Sequence, residues 1–156
     1  MDKDIRIVEI PTCKAIYSGL LDTEEKFEKF YKWVHSHEQD IFPRDFMRFN
    51  EKTGFNEWFY LSNVESDTYE SVLFKGGTFI VATCIASSED DGEDFENTFD
   101  YLISYASNSD MFELYHNDYV SYGLYPMFHM ISSENLIEHG ICQQDVYVPV
   151  RLKNNE

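Results

Sequence analysis

Residues 75–103 read KGGTFIVATCIASSEDDGEDFENTFDYLI, and their reading decides the fold. Thr78 to Ala86 is a run of β-branched, aromatic and small apolar residues, the composition of a buried strand. After an acidic stretch the periodicity changes. Phe95, Phe99, Leu102, Ile103 and Ala106 fall on one side of a helix predicted from about Gly92 to Ala106. Asp91, Glu93 and Asp94 crowd its first turn, where the helix macrodipole favours negative charge. Gly76-Gly77, just before the strand, predicts a tight connection or bulge, since glycine removes the steric cost of positive φ.

Toward the amino terminus the pattern recurs. Phe27, Phe30, Tyr31 and Val34 are spaced i, i+3, i+4, i+7 and predict a helix from about Thr23 to His37, with Asp22 and Glu25 in a capping arrangement. Strand character marks Ile5 to Ile10 and on through Ala15 to Gly19, Phe46 to Asn50, Glu57 to Asn63, Ser71 to Phe74, Val120 to Ile131, and Asp145 to Leu152. Each half therefore reads strand, helix, then two strands. The fold class predicted is α+β: a pseudo-twofold duplicated β-α-β-β chain, with halves at about 1–64 and 65–152 and no residue identity between them. Its antiparallel sheet would carry two main helices on one face. Two helices cover only one face of a sheet, so the other is predicted to be a concave cleft.

A chain of 156 residues is the size of one domain, read here as 1–156, and 43% hydrophobic with 17% aromatic residues excludes disorder. There are 29 acidic and 12 basic residues, a formal net charge of -17. Phosphate backbones are repelled by such a surface, so no direct nucleic-acid binding is expected. No Lys or Arg lies between Lys75 and Arg151, while thirteen Asp and Glu do. Cys13, Cys84 and Cys142 form an odd set without a C-x-x-C pair, which argues against a disulfide framework or structural zinc. The first residues, MDKDIRIVEI, hold no apolar signal core, and no run approaches the roughly 18 residues that span a bilayer. These features predict a cytoplasmic chain with no membrane partner, as a monomer or weak homodimer.

With DIRIVEIPTCKAIYSG at the start, GGTFIVAT followed by an amphipathic helix, and DVYVPV at the close, nearly the whole chain resembles the GyrI-like effector-binding domains, relatives of the SOUL haem-binding fold. The resemblance implies a pseudo-twofold domain that binds small, often cationic and lipophilic molecules in the concave face and the gap between repeats. Many relatives carry a helix-turn-helix module, for which this sequence has no room. Standalone relatives act as small-molecule binders, as inhibitors of partner proteins and, in some branches, as hydrolases.

Candidate ligand-binding residues follow from strand alternation and this resemblance. In the closing strand Val146, Val148 and Val150 share the face predicted to meet the helices, leaving Asp145 and Tyr147 for the open face. Family members place an acidic residue and an aromatic there, more often Glu than Asp. In EWFYL, Phe59 and Leu61 are assigned to the helix side, so Trp58 and Tyr60 would wall the cleft, where a lipophilic cation could stack. Tyr122, Tyr125 and Phe128 suit a pocket rim, with Pro126 limiting the strand to an edge or bulge. The alternative for all of these is ordinary core or edge packing.

Nothing marks a haem ligand among His35, His37, His116, His129 and His139, and no cofactor or metal is assigned. The stretch SSEDDGEDFEN lacks the order of a calcium loop. No nucleophile motif is present, so no catalytic residue is assigned, although Glu57, Glu70 or Asp145 could in principle activate water. The leading expectation is a domain that binds or senses a lipophilic, cationic small molecule in an aromatic cleft with a carboxylate. The alternatives are an acidic module that inhibits or escorts a basic protein, and a hydrolase of a small electrophile.

Overall fold

A computed structural model describes residues 3–37, 44–87, 92–115 and 122–154. Along them run β1 (Arg6–Ile10), β2 (Cys13–Leu21), α1 (Glu24–His37), β3 (Asp45–Asn50), β4 (Phe55–Leu61), β5 (Glu70–Lys75) and β6 (Gly77–Ser87). Then follow α2 (Glu93–Ser107), β7 (Phe112–Leu114), β8 (Tyr122–Gly123), β9 (Met127–Met130), α3 (Glu134–Glu138) and β10 (Ile141–Leu152). The strands form one mixed, mostly antiparallel sheet in the order β1-β6-β10-β9-β3-β4-β2-β5-β8, with β7 beside β10. The short β8 is parallel to β5. The architecture is α+β with two main helices.

Both long helices begin within a residue or so of the predicted positions, but their caps differ from the sequence reading. At α1 it is the Thr23 hydroxyl that accepts from the Lys26 amide at 3.2 Å, while Asp22 pairs with Lys26 Nζ at 2.7 Å. At α2 the N-cap is Gly92 in a left-handed conformation, φ 81°, which glycine adopts without steric cost. Asp94 then reaches back to accept from the Ile85 amide at 2.7 Å. Asp91 lies outside the described residues.

Register places α1 and α2 on the same face. Val146, Val148 and Val150 meet α2 through Ile80, Ala82, Leu102 and Ala106, as alternation in β10 predicts. The prediction for β4 is reversed: Trp58 and Tyr60 lie under α1 with Phe30 and Val34, and Phe59 and Leu61 point the other way. The cause is that Glu57 through Leu61 is buried throughout, so both faces of β4 are apolar and alternation carries no information about which meets a helix.

On the face away from the helices, where a concave cleft is predicted, side chains of several strands meet. Phe46, Phe59, Phe74, Phe79 and Tyr147 pack there into one cluster, with Tyr147 edge-on to Phe46 at 5.1 Å and to Phe79 at 6.0 Å. This cluster joins β5, near one end of the sheet, to β6 and β1 at the other, so the sheet curls over it. What space remains is a hollow of about 440 Å³ beside Val8, Cys13, Phe46, Leu61 and Tyr147.

Curling brings the two links between sheet ends together. The β1–β2 link at Pro11 crosses the β5–β6 link at Gly76, where a Cβ would lie 1.9 Å from the Ile10 carbonyl oxygen. Close backbone approach, not positive φ, is therefore why Gly76 is glycine; its amide donates to Thr12 Oγ1 at 3.0 Å. The run predicted as one strand from Val120 to Ile131 is split into β8 and β9, because Leu124 turns at φ 56° and Pro126 follows. Val120 lies outside the described residues.

Candidate functional site

An apolar hollow follows from how α2 meets the middle of the sheet. Phe95 and Phe99 stand one helical turn apart on α2, and Phe95 packs edge-on against Phe128 of β9 at 5.5 Å. On the other side the β3–β4 hairpin lifts Phe49 and Glu51 above the sheet, and the bend at Leu124–Pro126 brings up Tyr125. Between them lies a trench of about 530 Å³, floored by Val146 and lined by Phe49, Phe95, Phe99, Tyr125 and Phe128, with the carboxylates of Glu51 and Glu96. None of its lining residues is Lys, Arg or His. A second hollow of about 330 Å³ shares Glu51, Phe99, Tyr125 and Pro126 with it and reaches on toward Tyr115 and Val148.

Behind Tyr125 is a charged pair sealed from water. Arg48 and Glu57 face each other across β3 and β4 and are 4% and 2% exposed. Arg48 Nε donates to Glu57 Oε1 at 3.3 Å, Asn50 Nδ2 donates to the same oxygen at 2.8 Å, and the Tyr17 hydroxyl donates to Oε2. The guanidinium carbon sits 4.3 Å from the ring centroid of Tyr125, 5.1 Å from that of Phe59 and 5.6 Å from that of Tyr122. Burial, then the Glu57 hydrogen bond, pushes the Tyr17 hydroxyl well above its usual range, so it remains a donor. Tyr122 is raised as well, by burial and then by the charges of Glu70 and Glu57.

A third space, also about 530 Å³, lies between α1 and α3, with Tyr31, His35, Asp45, Trp58 and Glu134 on its walls. The Trp58 indole donates to Asp45 Oδ2 at 3.0 Å, and His129 Nδ1 lies 3.4 Å from Asp45 Oδ1. Tyr31 bridges the opening by donating to Glu134 Oε1 at 2.7 Å.

The sequence-derived residues are thus distributed over several places. Tyr125 and Phe128 line the trench, Tyr122 adjoins Arg48, and Trp58 floors the α1–α3 space. Tyr60 is buried under α1, where its hydroxyl donates to the His37 carbonyl at 3.0 Å. Asp145 and Tyr147 do share the face away from the helices. Asp145 accepts from Thr83 Oγ1 at 2.6 Å and pairs with Arg6 Nη2 at 2.8 Å; the Tyr147 phenol is pushed up to about 12 by burial and then by the Asp145 charge. Sequence reasoning missed Phe49, Glu51 and Glu96 as trench residues and Arg48 altogether. A signal was present: Arg48 stands between Met47 and Phe49, and Glu57 directly precedes the apolar run WFYL.

Among the described residues the cysteines and the candidate carboxylates are not brought together. Cys84 is buried with its thiol pushed up to about 11 by desolvation. Glu57, Glu70 and Asp145 lie on separate strands, β4, β5 and β10. Among the described residues no group of three His, Cys, Asp or Glu side chains is placed to hold a metal ion, and no helix is long and apolar enough to cross a membrane. His116 and residues 88–91 of the acidic stretch lie outside the described residues.

No family model matches the sequence, and no curated protein matches it. The fold does match solved structures. The C-terminal domain of EcmrR superposes with a TM-score of 0.61 at 12% identity, covering 97% of this chain and 99% of that one. A hydrolase from Listeria innocua gives 0.55 at 8% identity, over 96% and 93% of the two chains. SAV2435 bound to tetraphenylphosphonium gives 0.50 at 6% identity, over 95% and 94%. The chain therefore shares the fold of the EcmrR C-terminal domain over nearly its whole length, in agreement with the resemblance read from its sequence.

Proposed function

We propose that the trench beside α2 binds a lipophilic organic cation. The observation that carries this reading is the pairing of five aromatic rings with the carboxylates of Glu51 and Glu96 in a hollow lined by no base. Aromatic faces attract a diffuse cation by roughly 0.5–2 kcal/mol each, depending on desolvation, and a carboxylate within reach supplies the counter-charge. The tetraphenylphosphonium bound by SAV2435 is a ligand of this chemistry on a protein of the same fold.

The reading includes the predicted duplication, with β1-β2-α1-β3-β4 and β5-β6-α2-β9-β10 as the two units. Support comes from the strand order, in which β1-β6-β10-β9 from one end is matched by β5-β2-β4-β3 from the other. The trench then lies along the join between the units, at β3 and β9.

Thermal unfolding with tetraphenylphosphonium tests it. A ligand at a hundred times its Kd stabilises by about 2.7 kcal/mol, a shift of several degrees for a domain of this size. Phe99→Ala should lose most of that shift, and Glu96→Gln part of it. Triphenylphosphine oxide, a neutral molecule of similar shape, should give less. No shift with the cation, or an equal shift with the neutral compound, rejects the reading.

A further inference from the structure

Glu57 with the rings of Phe59, Tyr122 and Tyr125 has the composition of a site for guanidinium or quaternary ammonium groups: aromatic faces around a charge and a carboxylate beside it. It is built ahead of its guest, because Asn50 and Tyr17 already hold the Glu57 carboxylate in place. The guest it holds is the chain's own Arg48. Tyr125 is common to both sites: its ring centroid lies 4.3 Å from the Arg48 guanidinium carbon, and it also lines the trench. A cation resting on Tyr125 in the trench is therefore one ring away from a fixed positive charge, and beyond that charge lies Glu57, the most buried carboxylate among the described residues.

We propose that Glu57, Phe59, Tyr122 and Tyr125 form a cation cage occupied from within by Arg48, and that this occupant is the selectivity residue of the trench. It holds an incoming cation at the mouth, over Glu51 and Glu96, and keeps it from Glu57. The selectivity role rests on the trench being the ligand site; the cage itself does not.

Calorimetric titration of tetraphenylphosphonium into the full chain and three variants tests the selectivity role. Removing a charge separated from the ligand by one ring changes affinity by about ten-fold at the screening found near protein surfaces, and removing the more distant Glu57 changes it by less. Arg48→Gln should therefore bind more tightly by about that factor, Glu57→Gln more weakly by a smaller one, and the double variant between Arg48→Gln and the natural chain. Single variants that both stay within about two-fold of the natural chain overturn the selectivity role. Should neither the natural chain nor Arg48→Gln bind the probe, it is the ligand reading of the trench that fails.

The cage is read separately by adding millimolar methylguanidinium, or neutral methylurea, to Arg48→Ala. A rise in Tm with methylguanidinium only, absent in the natural chain, supports an internal cation site; no rise, or the same rise with both, overturns it. If Arg48→Ala is unfolded on its own, the two compounds are added during refolding. Recovery with methylguanidinium only supports the cage, and recovery with both or neither overturns it.

Discussion

At the residue scale, His129 and Asp45 give the chain a titration that bears on stability. Burial pulls the His129 imidazole down, but hydrogen bonding to Asp45 and the Asp45 charge outweigh it, so its pKa in the folded chain is raised above 6.5. A raised folded value means that the pair's contribution is complete below the unfolded value and is lost as pH rises through the folded one. The urea midpoint should accordingly fall from pH 6 toward pH 8, at about the ordinary range of histidine titration. His129→Gln should flatten that interval; a variant with the same slope as the natural chain would assign the effect to another group. Residues of this kind are hard to read from sequence. Asp45 and His129 are 84 positions apart, and only the single ladder contact between Met47 and Phe128 brings their strands together.

At the scale of elements, what was legible is what one face determines. α1 and α2 each bury a single stripe, so their period shows in the sequence, and the valines of β10 alternate because one side meets α2. β4 gave no such signal, having a helix on one face and the curled sheet on the other, and for that reason Trp58 and Tyr60 are found under α1. The link at Gly76 makes a sharper test. Gly76→Ala must displace backbone at Ile10 and Pro11, so its cost should reach or exceed the upper end of the about 1–3 kcal/mol typical of overpacking. Gly54→Ala meets nothing within 4 Å but stands at φ +79°, and should cost only about 1–2 kcal/mol of left-handed strain. Denaturant unfolding of the two variants decides; equal midpoints would mean that the crossing of the links is not tight.

At the scale of the whole molecule, the sheet is assembled by exchange. β1 comes first in the chain yet pairs with β6, whereas β5, which follows β4, pairs with β2. Strand order of this kind is set by contacts far apart in sequence, which is why local pattern could give the elements and not the curl that buries Tyr147 or opens the trench. A chain cut between Ser62 and Glu70 should therefore reassemble when its two pieces are refolded together, each supplying a strand that the other's sheet lacks. Two pieces that fold separately and stay apart in size-exclusion chromatography would contradict this. There is a practical corollary in Lys3, whose Nζ reaches Asp94 in the first turn of α2 at 3.2 Å. Lys3 is thereby docked at the entry of α2, so a dye coupled at that position would be delivered next to α2 and report on what happens along that helix.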